Sequence, residues 1–181
     1  MKLLDEIVKI CPPPVAPTNI LTGLEWNMQF HSIGTRLPEQ LVQLNKFYGS
    51  GYFQSNQSPI NGSFHFNCLH VSHRAIFRLA ELRLVKLKKP NVFPARLYFE
   101  PDGLLPIGTI SHSVDICLRT IGDNPDKWKI SLLRATTNKV HHLDSSLLEF
   151  ATDVLVGKLH SAIFSQHIPT TKGYQFTAFS L

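Results

Sequence analysis

The sequence predicts an α+β domain, with helices near both ends and a meander of short strands between them. Apolar residues recur at helical spacing close to the N-terminus and again at residues 146–159. Runs of strand length and strand composition occupy residues 104–143. Turn segments rich in proline, glycine and aspartate separate these runs, because such residues set the backbone of tight turns.

Length and composition indicate one domain of 181 residues, of which 43% are apolar. We expect residues 1–19 to form a helix and a proline-rich loop, and residues 165–181 a tail or edge strand. No apolar run reaches the ~18 residues that span a bilayer, and Asp5 and Glu6 stand where a signal peptide would be apolar. Cys11, Cys68 and Cys117 form no paired motif, so we expect a reduced, cytoplasmic protein.

Apolar spacing and capping residues predict three helices before residue 51. The first covers residues 1–11 and ends at three consecutive prolines. The second is expected over residues 20–30, capped by Asn19 and ended by Gly34, and the third opens at Pro38, a residue tolerated in the first helical turn. The expected core residues are Leu21, Leu24 and Met28 of the second helix, and Leu41, Leu44 and Tyr48 of the third, with Phe47 at its edge.

The middle of the chain is predicted to contain a strand, a helix and then the meander. Residues 64–71 alternate as a half-buried strand would, after a turn at Asn61-Gly62. Residues 72–87 are predicted to be helical through Ile76, Leu79, Ala80 and Leu84, although the end of this segment also fits a strand. The other candidate strands are residues 52–53, 104–109, 114–120, 128–134 and 140–143. Residues 130–133 are apolar on both faces, which predicts a central strand.

The last helix has the most specific sequence signal. Ser146 and Glu149 have the spacing of a capping box. One apolar face follows, formed by Leu147, Ala151, Val154, Leu155 and Leu159. Tyr174, Phe176 and Phe179 then recur at strand-like spacing, which predicts an edge strand or a segment docked on the core.

Charge is unevenly distributed along a chain with a formal net charge of +5. Cations dominate residues 74–96 and acids dominate residues 100–126. Adjoining segments of opposite charge could form complementary patches for a partner, or only a solvated helix face followed by solvated turns. The cations are Arg74, Arg78, Arg83, Lys86, Lys88, Lys89 and Arg96, against Glu81; the acids are Glu100, Asp102, Asp115, Asp123 and Asp126, against Arg119.

The histidines and cysteines do not predict a metal site. His65, Cys68, His70 and His73 are close in sequence, but on a strand His65 faces away from Cys68 and His70. The adjacent pair of histidines at 141 and 142 also faces opposite ways, with no acid fixed beside it. We therefore expect no metal and no cofactor.

The carboxylates do not predict catalysis either. Asp115 with Asp123 or Asp126 could supply an acid–base pair, but Asp123 and Asp126 are explained more simply as turn residues bonding their own backbone. The chain contains no Gly-x-Ser-x-Gly elbow and no phosphate-binding loop. These observations favour a non-enzymatic protein.

Four segments carry a resemblance to a known family. They are IGTRLPEQL (residues 33–41, running into Phe47-Tyr48-Gly49), PDGLLPIG (101–108), GDNPDKW (122–128) and residues 145–159, which end LVGKL. In this order and spacing they resemble the motifs of the SUKH superfamily, which includes fungal Smi/Knr-type cell-wall regulators and many bacterial immunity proteins. Glu25 also stands where the family has a glutamate, and the match covers roughly residues 25–159.

The resemblance implies an α+β domain with a mixed, largely antiparallel β-sheet flanked by helices. It also implies an immunity protein, which binds the catalytic domain of a toxin and occludes its active site. Three positions depart from the family: Ile107 replaces a tryptophan, Leu118 replaces an aromatic residue, and Ser113-Val114 replace a Gly-Asp turn. Isoleucine and leucine still fill a sheet face, so the departures concern a shared ligand pocket and not the fold.

We therefore expect an immunity protein whose partner is a cognate protein toxin, with no membrane or nucleic-acid partner. A regulatory adaptor that holds a cellular protein is the alternative, and a nucleic-acid-binding module using residues 74–89 is a weaker one. Trp128 and Trp26 could be binding anchors, although core packing is the preferred interpretation of Trp128. The expected toxin-binding residues are Asp102, Asp115, Asp123, Asp126 and Trp128.

Overall fold

Five α-helices and seven β-strands make up the described part of the chain, which in this computed structural model is residues 2–55, 64–66, 71–93, 95–110, 113–159 and 173–178. The helices are α1 (Lys2–Ile10), α2 (Gly23–Ile33), α3 (Glu39–Tyr48), α4 (Val71–Lys88) and α5 (Leu147–Leu155). The strands are β1 (Gly51–Ser55), β2 (Phe64–Phe66), β3 (Leu104–Ile110), β4 (Val114–Arg119), β5 (Lys129–Arg134), β6 (Lys139–His142) and β7 (Tyr174–Ala178). The predicted α+β class is confirmed.

All seven strands belong to one sheet, in the order β6-β5-β4-β3-β2-β1-β7. Every described strand pairing is antiparallel, and the parallel component is an isolated bridge between Leu97 and Leu104. β7 pairs with β1 at one edge, as predicted for the C-terminal tail. β5 is buried on both faces, but it lies beside the edge strand β6, and β3 occupies the centre of the sheet.

The two faces of the sheet pack against different helices. Asp115 of β4 points to one face, where Arg78 of α4 binds it. The register places Phe53 of β1 on the opposite face, where its ring packs against Phe176 of β7 and Tyr48 of α3, with ring centroids 5.0 Å away in both cases. Helix α5 contacts α1 and α3, whereas α2 contacts α4. The helices therefore flank the sheet as expected.

Helix α2 begins later than predicted, because Thr22 and not Asn19 caps it. Thr22 Oγ1 accepts a hydrogen bond from the Glu25 N–H at 3.3 Å, and the Glu25 carboxylate accepts one from the Thr22 N–H at 2.7 Å. Asn19 instead has a left-handed backbone, with φ +58°. The buried face of α2 also differs from the prediction: Trp26 and Ile33 are buried, whereas Leu24 and Met28 are exposed. Leu21, which precedes the helix, is buried as predicted.

The remaining helices follow the sequence more closely. Leu41, Leu44 and Tyr48 form the buried face of α3, and the capping box of Ser146 and Glu149 opens α5, both as predicted. α4 is helical to Lys88, so the alternative strand at its end is wrong. The predicted strand over 64–71 does not reach its expected end, because Val71 already begins α4; its described part is β2. Residues 67–70, the turn at Asn61-Gly62, and Phe179 lie outside the described residues.

Candidate functional site

The five residues predicted to contact a toxin do not lie on one surface. Asp115 is 2% exposed and Trp128 is 5% exposed, so neither side chain is presented to solvent. Asp102, Asp123 and Asp126 are exposed. Asp102 precedes β3, whereas the other two lie in the turn between β4 and β5.

The Asp115 carboxylate is held beneath α4 by a guanidinium group. Arg78 donates to both of its oxygens, from Nε at 2.8 Å and from Nη2 at 2.9 Å, and donates from Nη1 to Glu81 at 2.7 Å. The hydrogen bond to Asp115 is the main reason that the pKa of Arg78 is raised above its ordinary value. Asp115 therefore anchors α4 to the sheet, and it does not form the carboxylate pair with Asp123 or Asp126 considered above.

Asp126 binds a distant helix, and not its own backbone as predicted. Its carboxylate accepts hydrogen bonds from the Arg36 guanidinium and from the Glu39 N–H, the latter at 2.7 Å. Glu39 begins α3 and follows Pro38, whose side chain cannot cap the helix, so Asp126 supplies the missing acceptor. These two contacts, the Arg36 bond first, lower the pKa of Asp126. Asn124 is the residue that bonds within the turn, accepting from the Asp126 N–H at 3.0 Å.

A further contact joins the same region to α5. Gln40 accepts a hydrogen bond from the Leu148 N–H at 3.1 Å, in the first turn of α5. Three of the four segments that carry the family resemblance therefore meet at one place, which we call the helix junction. The helix junction consists of Arg36, Glu39, Gln40, Asp126 and Leu148. Its side chains hold α3, α5 and the turn before β5 together, which is a structural role.

Trp128 closes the turn before β5. Its indole Nε1–H donates to the Gly122 carbonyl at 3.1 Å, and its ring is buried. Gly122 has a φ of +64°, a left-handed backbone that a glycine adopts readily. The preferred interpretation of Trp128 as a core residue is confirmed, and Trp26 is buried as well.

The PDGLLPIG segment forms a tight approach to the loop before it. A Cβ atom on Gly103 would lie 2.5 Å from the Leu97 backbone, so a glycine is required there. Asp102, next to it, has a left-handed backbone, with φ +56°, and its side chain is exposed on the turn. Ile107, which departs from the family pattern, lies where the β3–β4 register shifts by one residue, as at a β-bulge.

Helix α4 carries an exposed apolar surface that the sequence pattern did not indicate. Phe77 is 62% exposed, Leu84 is 59% exposed and Leu87 is 76% exposed, and Ile76 beside them is also exposed. At 3.6 residues per turn these four side chains lie within an arc of about 100°. The buried residues of the helix, Ala75, Leu79 and Leu82, lie on the other side. We call Ile76, Phe77, Leu84 and Leu87 the α4 stripe.

Most of the described cations near the α4 stripe have partners within the protein. Arg83 donates to the Tyr98 carbonyl at 2.6 Å and lies over the Phe99 ring, and Lys86 donates to Glu100 at 2.7 Å. Lys88 and Lys89, by contrast, are exposed and make no ion pair with any described residue. The C-terminal end of the α4 stripe is therefore positively charged.

Within the described ranges, no three histidine, cysteine or acidic side chains are placed to hold a metal ion. The side chains of His65, Cys68, His70 and His73 lie outside what is described. Among the described helices, none combines the length and apolar character needed to cross a membrane.

No family model matches the sequence, and searches of curated proteins and of solved structures gave no significant match. The geometry defines an α+β protein, built on one seven-stranded sheet in its described part, with an exposed apolar helix surface.

The two acids of the turn before β5 are predicted to differ in their effect on stability. Replacing Asp126 with alanine should lower the free energy of unfolding by about 1 kcal/mol, because the cap of α3 and the Arg36 contact are lost at a half-exposed site. Replacing Asp123, which is exposed three residues earlier, should change it by less than about 0.5 kcal/mol. Urea denaturation of both variants measures the difference, and equal stabilities would contradict the capping role.

Proposed function

We propose that this chain is an immunity protein, which binds a cognate protein toxin and neutralises it by covering its active domain. The observation that carries the proposal is the α4 stripe. Contiguous exposed apolar residues on a soluble domain mark interaction surfaces. Large apolar side chains such as Phe77 can act as the few anchors that dominate a protein interface.

The charge around the α4 stripe favours a protein partner over a nucleic acid. A nucleic-acid surface needs several cations free to contact phosphates. Arg78, Arg83 and Lys86 already bind acceptors within this chain, and apolar side chains occupy the helix surface between them. Such a surface fits an apolar patch on a protein better than a phosphate backbone.

The contact surface of the toxin is proposed to be apolar with acidic residues at its rim. Lys88 and Lys89 lie at one end of the α4 stripe, and the chain carries a formal net charge of +5. Complementary charge at a rim accelerates encounter and selects among partners more than it adds affinity. The apolar centre would supply the affinity, with Phe77 and Leu84 as its anchors.

The contacts of the helix junction support the SUKH resemblance as the basis of this proposal. Arg36, Gln40 and Asp126 come from segments that carry the resemblance, and their contacts in the fold are structural. The α4 stripe lies outside all four of those segments. A scaffold of this kind can keep its junction while its binding helix is fitted to a particular toxin.

Capture of the toxin tests the proposal, with one variant in the α4 stripe and one matched control. Proteins are captured from the native cell at high salt with three tagged forms of the chain: wild type, Phe77→Glu and Val15→Glu. Val15 is fully exposed in the loop after α1, so its replacement adds the same charge away from α4. Glutamate is a good helix former, and circular dichroism checks that Phe77→Glu stays folded.

We expect wild type and Val15→Glu to capture one stoichiometric protein that stops growth when expressed alone. Phe77→Glu should bind that protein at least about 30-fold more weakly, as loss of an interface anchor requires. Capture of several weak, non-toxic partners would contradict the immunity function and favour the regulatory adaptor. Equal binding by Phe77→Glu would contradict the assignment of the surface to α4.

A further inference from the structure

A pocket of about 440 Å³ lies between the sheet and the loop that follows α4. Its sheet side is formed by Leu104, Arg119 and His142. Leu104 pairs directly with Arg119 of β4. His142 pairs with Ser131 of β5, which pairs with Cys117 of β4, and Cys117 lies two residues from Arg119 on the same face. All three therefore point to the face of the sheet that α4 covers at Asp115. The remaining lining residues are Ala95, Arg96, Asp102 and Ile121.

The Arg119 side chain lines this pocket and is incompletely hydrogen-bonded. Its Nε–H is buried and has no hydrogen-bond acceptor among the described residues. It also makes no ion pair with any described acid, although Asp102 lines the same pocket. A buried donor without an acceptor is unfavourable, so native proteins usually satisfy it with protein, water or ligand. The planar guanidinium presents its donors in a geometry that matches a carboxylate.

We propose that this pocket binds a carboxylate group, held by the guanidinium groups of Arg119 and Arg96. Arg96 is an exposed lining residue with one long hydrogen bond, from Nη1 to the Pro101 carbonyl at 3.5 Å, and its charge acts on the nearby Glu100 carboxylate. No other hydrogen bond joins its guanidinium group to a described residue, so its other donors can meet a ligand. Leu104 and Ile121 give the pocket an apolar wall, which suits the hydrocarbon part of the same ligand. This inference does not depend on the proposed function.

The charge of the pocket favours a single carboxylate over a phosphate. The lining contains the guanidinium groups of Arg96 and Arg119 and the carboxylate of Asp102. With His142 neutral, their charges sum to +1. Partial loss of hydration, with the nearby charges of Arg119 and His141, lowers the pKa of His142 and favours its neutral form. Its Nδ1 is within hydrogen-bond distance of Ser131 Oγ, at 2.8 Å. A doubly charged phosphate would leave an uncompensated charge beside Asp102.

NMR titration of the whole chain tests the proposal with three probes at equal ionic strength. Butyrate represents a small organic acid, a capped peptide with one glutamate represents an acidic side chain of a protein, and inorganic phosphate is the competing chemistry. The readouts are the Arg119 Nε–H resonance and the His142 ring resonance. We expect saturable shifts with a carboxylate probe at roughly millimolar dissociation constants. If butyrate binds more tightly than the peptide, the ligand is a small organic acid. If the peptide binds more tightly, the ligand is an acidic side chain of a protein.

Three variants distinguish this site from weak surface binding. Arg119→Gln and Arg96→Gln should each weaken carboxylate binding about tenfold or more. Lys139→Gln removes an exposed cation from the same strand as His142, and should leave binding unchanged. Arg119→Gln should also raise the pKa of His142, because a neighbouring positive charge is removed. Tighter binding of phosphate than of either carboxylate, or unchanged binding by both arginine variants, would overturn the proposal.

Discussion

Replacing Trp128 with alanine is expected to lower the free energy of unfolding by about 3–5 kcal/mol. The ring is buried at the entry to β5, and its Nε1–H satisfies the Gly122 carbonyl. Alanine removes both the packing and the donor, so a cavity remains and the exposed Gly122 loses the partner of its carbonyl. Urea denaturation measures the loss.

Replacing Trp128 with phenylalanine separates the two contributions. Phenylalanine keeps most of the packing and loses the Nε1–H donor, so we expect a smaller loss of about 1–2 kcal/mol. A Trp128→Ala protein with the stability of wild type would contradict the core assignment. If that variant also failed to bind the toxin, Trp128 would be a contact residue after all.

Replacing Arg78 with alanine is expected to lower the free energy of unfolding by about 3 kcal/mol. The Asp115 carboxylate would stay buried without its guanidinium partner, and α4 would lose its polar attachment to the sheet. Because Arg78 itself is partly exposed, we place the loss at the lower end of the range for broken buried ion pairs. Thermal or urea denaturation at pH 7 provides the measurement.

Two further variants make the Arg78 prediction specific. Lys88→Ala removes an exposed cation from the same helix and should cost less than about 0.5 kcal/mol. The double variant Arg78→Met with Asp115→Leu should recover part of the loss, because no charge is then buried alone. If the double variant lost more free energy of unfolding than the two single variants lose together, this explanation of the pair would be contradicted.

The local sequence predicted a helix correctly where its end signals and its apolar spacing indicated the same segment and the same buried face. In α3, Leu41, Leu44 and Tyr48 share one face, and in α5 the capping box and the apolar stripe begin together. In α2 two possible caps, Asn19 and Thr22, stand three residues apart. The reciprocal bond with Glu25 favours Thr22. The buried face was a separate miss, because the apolar spacing of Leu24 and Met28 did not indicate that Trp26 is the side chain facing the core.

The candidate site could be predicted less well, because its contacts join residues far apart in the chain. Arg78 meets Asp115 across 37 residues, and Arg36 meets Asp126 across 90. Nothing in the local sequence separates a turn aspartate that bonds its own backbone from one that caps a distant helix. In α4 the apolar spacing grouped Ile76, Ala80 and Leu84 with Leu79, but of these only Leu79 is buried, and the buried face runs through Ala75 and Leu82. Apolar residues surround too much of this helix for spacing alone to separate its buried face from the α4 stripe.

Growth rescue measures whether the chain neutralises a toxin through the α4 stripe, as we propose. Cells expressing the captured toxin receive wild-type chain, Phe77→Glu or Val15→Glu, with folding checked for each. We predict that wild type and Val15→Glu restore growth and that folded Phe77→Glu does not. Equal rescue by Phe77→Glu, or failure of the wild-type chain to restore growth, would contradict the account.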